Sequence, residues 1–183
     1  KPSEKMDEMK GDMTGAAEVM AAVAAASRLK LKLNVAVVMP LAENLPGGKA
    51  QRPGDIIRSA SGITIEVKNT DAEGRLILAD ALHYATTLKP KIGIVDVATL
   101  TGACTIALGS NTIALMGNNE DILAKISTAG HASGERTWIL PLWDEYDELI
   151  ESQIADVLNT STRSREAGTI VGGMFLKRFV GDF

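Results

Sequence analysis

Two kinds of apolar run alternate along the chain. Short Val- and Ile-rich stretches end near Pro or Gly, and longer stretches carry apolar residues at helical spacing. The first kind suits buried strands and the second amphipathic helices. Thr14 to Leu29 is rich in Ala with Val and Met and reads as helix, with Asp12 or Thr14 placed to cap its start. Leu33 to Met39, before Pro40, reads as a buried parallel strand. Ala42 to Asp55 holds two Pro and three Gly and reads as a surface loop. Thr64 to Lys68 alternates in polarity as a strand does. Leu76 to Leu88 returns to helical spacing, with Leu76, Ala79, Leu82 and Ala85 facing inward, and Lys89-Pro90 ends it. Ile92 to Val97 and Ile113 to Met116 read as further strands, and 98–109 as a loop between them. Glu120 to Thr128, Leu142 to Ile154 and Gly172 to Val180 read as helices. The polar stretch 155–169 reads as a mobile or substrate-facing loop.

This alternation predicts an α/β fold: a mainly parallel, twisted sheet with helices on both faces. Sites in such sheets lie at the carboxyl ends of strands. Two segments sit there, 69–75 and 99–102. With 183 residues the chain fits one domain with a proper core. Its opening, Lys1-Pro2-Ser3-Glu4-Lys5-Met6, reads like the interior of a loop, and its end follows a helical pattern with no clear finish. The chain therefore reads as a piece of a longer protein.

Charge and cysteine content narrow the function classes. A net charge of -4 argues against a generic nucleic-acid or anionic-membrane binder. No apolar run approaches the length of a membrane span. A single cysteine, Cys104, excludes an intrachain disulfide and favours a reducing compartment. Cys104 lacks a histidine partner in sequence and reads as a small buried residue. His83 and His131 are too few for a histidine-based zinc site.

The segment Asn69-Thr70-Asp71-Ala72-Glu73-Gly74-Arg75 carries the chemistry. Asp71, Glu73 and Arg75 stand at i, i+2 and i+4, and on an extended backbone they would share a face. Two hard oxygen donors beside a fixed positive charge could hold a cation. The same residues also fit a plainer reading, with Thr70 and Glu73 forming a capping box and Arg75 a solvated arginine. Asp12 likewise could be a ligand, or could only complement the dipole of the helix that follows it.

Four blocks, in order, resemble the catalytic domain of the leucyl aminopeptidase family of dinuclear-metal peptidases. They are Lys1-Pro2-Ser3 with Met6 and 9–17; Ala42-Glu43-Asn44 with 51–55; NTDAEGR at 69–75 with 76–80; and Asp96-Val97-Ala98-Thr99-Leu100-Thr101-Gly102-Ala103. The resemblance covers 1 to about 105 closely and the remainder more loosely. It implies that residues 1–183 are a catalytic aminopeptidase domain truncated at both ends, without the amino-terminal domain. It further implies Asp12, Asp71 and Glu73 as metal ligands, and Lys1 and Arg75 as catalytic residues. In that assignment Lys1 polarises the scissile carbonyl and Arg75 holds a bicarbonate that shuttles the proton. Lys1, Met9, Asp12, Asp71 and Leu100 would meet substrate.

The implied cofactors are two divalent ions, zinc or manganese with magnesium also suited, and bicarbonate. The implied protein is a cytoplasmic homo-hexamer that removes N-terminal leucine and other apolar residues from peptides. The family's two other metal ligands, a lysine and an aspartate, lie upstream of the position matching Lys1 and outside this chain. The site is therefore incomplete in this chain alone. The competing reading is a non-catalytic, oligomer-forming or DNA-binding relative of the same fold.

Overall fold

The computed structural model describes residues 6–163, 165–181 and 183. A 3-10 helix, Met6–Met13, leads directly into α1 (Thr14–Arg28). The half-buried positions Ala16, Val19, Val23 and Ala26 repeat at helical spacing along one side of α1, and Gly15 is buried at its start. The expected cap is not used: the Thr14 hydroxyl donates to the Gly11 carbonyl at 2.5 Å, and no side chain caps α1. The preceding 3-10 turn carries the chain into the helix without it.

Three short strands form one sheet in the order β1 (Ile56–Arg58), β2 (Thr64–Glu66), β5 (Val157–Leu158). The β1–β2 pairing is antiparallel with Ile57 opposite Ile65, and β2–β5 is parallel with Ile65 opposite Val157. A second, parallel pair joins β3 (Ile113–Leu115) to β4 (Thr137–Ile139) through α4 (Glu120–Ser133). Local rules explain α4 well. The Asn119 side chain accepts from the Ile122 N–H, Glu120 and Asp121 complement the first turn, and Gly134 closes the helix at a φ of 85°. The remaining helices are α2 (Gly74–Thr87), α3 (Ala103–Leu108) and α5 (Gly168–Lys177), with a second 3-10 helix at Asp144–Ile150.

The class is α/β, as expected, and two of the three strand pairings are parallel. Several elements differ from expectation. The strands read at 33–39 and 92–97 pair with nothing among the described residues, and Leu33, Val35, Ile92 and Val95 stay exposed. An apolar run supplies the wish to be buried, but a strand exists only through a neighbour that takes its backbone hydrogen bonds. The sheet is accordingly in two pieces. The loop expected over 98–109 contains α3, and the helix expected over 142–154 is a shorter 3-10 turn.

The polar stretch 155–169, read as a mobile loop, contains β5. Val157 and Leu158 are fully buried there, because β2 supplies the ladder. The core packs β2 and β5 against α2, α5 and the second 3-10 helix: Ile65, Val67, Leu76, Ala79, Ile150, Val157, Met174 and Phe175 are all buried. The Phe175 and Phe179 rings lie 4.9 Å apart. No helix among the described residues is long and apolar enough to cross a membrane.

A reciprocal contact clips β5 to β2. Asp156 accepts from the Thr64 N–H at 2.8 Å and the Thr64 hydroxyl at 2.6 Å, and its own N–H donates back to that hydroxyl at 3.0 Å. These bonds to Thr64 hold the Asp156 carboxyl below the ordinary aspartate range. Because the folded-state pKa is depressed, the stabilisation is present above the unfolded value of about 4 and fades as pH falls through the folded value. Asp156→Asn should therefore melt below wild type at neutral pH, and the gap should narrow below about pH 4. A gap in melting temperature that stays constant down to pH 2 would contradict this.

Candidate functional site

The signature segment is folded differently from an extended strand. Its backbone turns at Thr70–Asp71, Glu73 is already helical (φ -82°, ψ -30°), and Gly74 opens α2. The i, i+2, i+4 alternation therefore does not operate. The capping box is absent too, since no side chain caps α2. What shapes the segment is a set of asparagines. The Asn69 side chain accepts from the Asp71 N–H at 2.9 Å, an Asx turn, and Asn44 Nδ2 donates to the Thr70 carbonyl at 3.2 Å.

The turn still brings the charged residues to one place. A cavity of about 690 Å³ is lined by Asp12, Asp71, Glu73, Arg75, Asp96 and Leu100, with Met13 and Met39 among its apolar wall. The 3-10 helix brings Asp12 to it, the turn brings Asp71 and Glu73, and α2 brings Arg75. Another depression of about 730 Å³, over Leu142 to Glu145, is an open dish with four lining residues. It lacks the convergence of both charge signs found in the first.

Arg75 is the most unusual group. It is 7% exposed, and its Nε and Nη1 have no hydrogen-bond partner among the described residues. Burial lowers its pKa to about 10, which leaves it cationic at neutral pH. That corresponds to a burial cost on the order of 3 kcal/mol. The plainer reading of Arg75 as a solvated surface residue is thereby overturned. Its surroundings are built close: a Cβ on Gly172 would stand 3.0 Å from Leu100 Cδ2 and 3.8 Å from Arg75 Nη2.

Asp12 is oriented from across the cavity. The Thr99 hydroxyl lies 2.7 Å from Asp12 Oδ1 and 2.9 Å from its carbonyl oxygen. Gly15 makes this approach possible, since a Cβ there would fall 2.2 Å from the Val97 carbonyl oxygen. Asp96 stays open to the cavity's solvent, yet the protein packed round its carboxyl raises its pKa, and a Val97 backbone hydrogen bond partly offsets this. Leu100 lines the cavity wall. Met9 is half-buried and is not among the described lining residues. Lys1 lies outside the described residues.

The donor chemistry suits divalent cations, because Asp12, Asp71 and Glu73 offer hard oxygens to one cavity. Among the described residues, no three His, Cys, Asp or Glu side chains close to a single coordination sphere. The three carboxylates thus share a chamber rather than a finished cage. Sequence reasoning assigned no role to Thr99, Asn44 or Asn159, whose side chains bond to Asp12 and to the backbone of the 68–72 turn. Thr99 lies in a segment the motif reading singled out, whereas nothing in the local pattern marks Asn159.

An α/β domain with carboxylates and a buried guanidinium round one cavity has the layout of an enzyme's catalytic domain. The chain belongs to the cytosol aminopeptidase family, whose catalytic-domain model matches residues 1–183. It is 56% identical over 180 residues to a probable cytosol aminopeptidase of Chlorobaculum tepidum, covering 98% of this chain and 35% of that protein. It is 53% identical over 182 residues to one of Chloroherpeton thalassium, covering 100% and 35%. For one of Syntrophotalea carbinolica the figures are 56% over 182 residues, covering 100% and 36%. The chain spans about a third of the length of these curated relatives.

Proposed function

We propose that the full-length protein is a metal-dependent aminopeptidase that releases N-terminal amino acids, apolar ones preferred, from peptides. The observation that carries this reading is Arg75: a buried guanidinium, its Nε and Nη1 without a hydrogen-bond partner among the described residues, on the wall that also presents Asp12, Asp71 and Glu73. In this reading those three carboxylates hold two divalent ions, zinc or manganese with magnesium also suited. Bound there, the ions would lower the pKa of water toward ~7 and polarise a peptide carbonyl.

The chain's own residues then divide the work. The Thr99 hydroxyl keeps the Asp12 carboxylate facing the cavity. Leu100 presents backbone and an apolar side chain to the substrate. Lys1 donates to the oxygen on which negative charge develops. Arg75 has no lone pair with which to accept a proton at ordinary pH. Its role is to hold a small anion that can, and bicarbonate fits its planar fork. A cytoplasmic homo-hexamer is the assembly proposed for the whole protein.

The anion site has a test independent of turnover. In the full-length protein, bicarbonate should raise the wild-type melting temperature, and Arg75→Met should abolish that rise. The same substitution should stabilise the anion-free protein by about 1–3 kcal/mol, because a buried charge is removed whose Nε and Nη1 have no hydrogen-bond partner among the described residues. It should also lower peptidase activity by about 10²-fold or more. Equal stabilisation of both proteins by bicarbonate would sink the anion assignment.

A further inference from the structure

We propose that Asn159 is the positioning residue that sets the conformation of the metal-binding turn from the end of β5; this rests on the metal reading above. Asn159 follows β5 and is wholly buried, at 0% exposure. Its N–H donates to the Glu66 carbonyl at 3.0 Å, which continues the β2–β5 ladder by one step. That bond anchors its backbone to the rigid core. Its side chain then reaches across to the signature segment, which is about 90 residues earlier in the chain.

Oδ1 accepts from the Lys68 N–H at 2.8 Å and the Asn69 N–H at 3.2 Å. Nδ2 donates to the Asn69 carbonyl at 2.6 Å and the Ala72 carbonyl at 3.4 Å. The amide can sit only one way round, since the two N–H groups can only donate and the two carbonyls can only accept. One side chain thus holds both ends of the turn. Between the held ends lies Asp71, and directly after them lies Glu73.

Only an amide does this. Its donor and acceptor lie on one rigid plane, and Asn has the reach that the spacing requires. An ionised aspartate would keep the two N–H bonds but would face the Asn69 carbonyl with a second oxygen. Alanine would leave all four backbone groups without this partner in a part-buried place. A turn that loses its clasp samples more than one shape, so Asp71 and Glu73 present their oxygens to a cation less often. Groups that orient ligands in this way typically govern affinity by about 10–100-fold.

The test uses the apo form of the full-length protein, Mn2+ as the probe, and Val157→Ala as a control. Val157 lies two residues away on β5, and its buried side chain packs in the core, so its truncation loosens the same strand through packing alone. Asn159→Ala should weaken Mn2+ binding by about 10–100-fold and speed backbone hydrogen exchange over 68–73. Val157→Ala, compared at matched distance below its melting temperature, should change neither to that degree. Where Asn159→Ala yields no folded protein, Asn159→Asp should shift both readouts in the same direction. Mn2+ affinity or 68–73 exchange no different from the Val157→Ala control would overturn the proposal. If the wild type itself binds no Mn2+, the metal reading falls and takes this proposal with it. Unchanged affinity in an Asn159 variant of a metal-binding wild type defeats the Asn159 role alone.

Discussion

Alanine at Asp71 or at Glu73 in the full-length protein is expected to end peptide hydrolysis, with a loss exceeding about 10²-fold, and to lower bound metal per chain. The lower bound comes from residues that merely orient ligands, whose loss typically costs about 10–100-fold; a ligand itself should cost more. Both residues line the same cavity as Asp12 and Arg75, and neither belongs to the buried core. Asp71 is exposed, so its substitution should leave the melting temperature nearly unchanged, since surface changes away from packing usually stay within about 0.5 kcal/mol; Glu73 has one buried carboxylate oxygen, so its folding is read on the isosteric Glu73→Gln variant. That separation of activity from stability is the useful part. Elemental analysis for metal, circular dichroism for folding and release of an N-terminal leucine together give the answer. Undiminished turnover in either variant would remove that residue from the ligand set. Glu73→Gln sharpens the test, because it keeps volume and removes the charge that offsets a cation.

A side chain at Gly15 should be as damaging, for a different reason. This glycine has no need of unusual backbone angles; it is required for space. Its Cβ would sit 2.2 Å from the Val97 carbonyl oxygen and 2.9 Å from the Ala98 Cα. Both obstacles are backbone, so no side-chain rotation relieves them. α1 would have to back away from the 96–100 segment, and Asp12, three residues earlier, would be drawn off Thr99. Gly15→Ala should cost about 3 kcal/mol, toward or beyond the top of the usual range for overpacking, and Gly15→Val more. Metal affinity should fall with it, because Asp12 leaves its place on the cavity wall. Urea denaturation and Mn2+ titration measure the two effects. A Gly15→Ala protein within about 0.5 kcal/mol of wild type would show that the close approach is not what seats α1.

These two sites differ in how far they could be read from sequence. Asp71 and Glu73 sit in a dense block of charged and small residues, and that block resembles a specific family motif. Their roles were accessible as expectations, although the extended alternation invoked to bring them together is not how the turn does it. Gly15 sits in an Ala-rich helix that looks indifferent to one more methyl group. Its importance comes from a carbonyl more than eighty residues away, and nothing local reports such a neighbour.

The same division runs through the fold. Helices α1, α2 and α4 were legible because helical hydrogen bonds close within four residues, so spacing, caps and breakers near each helix suffice. Strands were harder. The runs at 33–39 and 92–97 have the composition of buried strands but no ladder. Val157 and Leu158 form a strand inside a polar stretch because β2 lies beside them.

Taken alone, the amino-acid order determined the α/β class, the main helices, the acidic and single-cysteine character, and the motif that points to this family. Only the folded chain decided that Arg75 is buried with Nε and Nη1 unpartnered among the described residues, that Thr99 orients Asp12, and that Asn159 clasps the turn. The physical reason is range. Propensity, periodicity and capping act over a few residues, whereas burial, close approach and the pairing of polar groups depend on segments that meet only after folding.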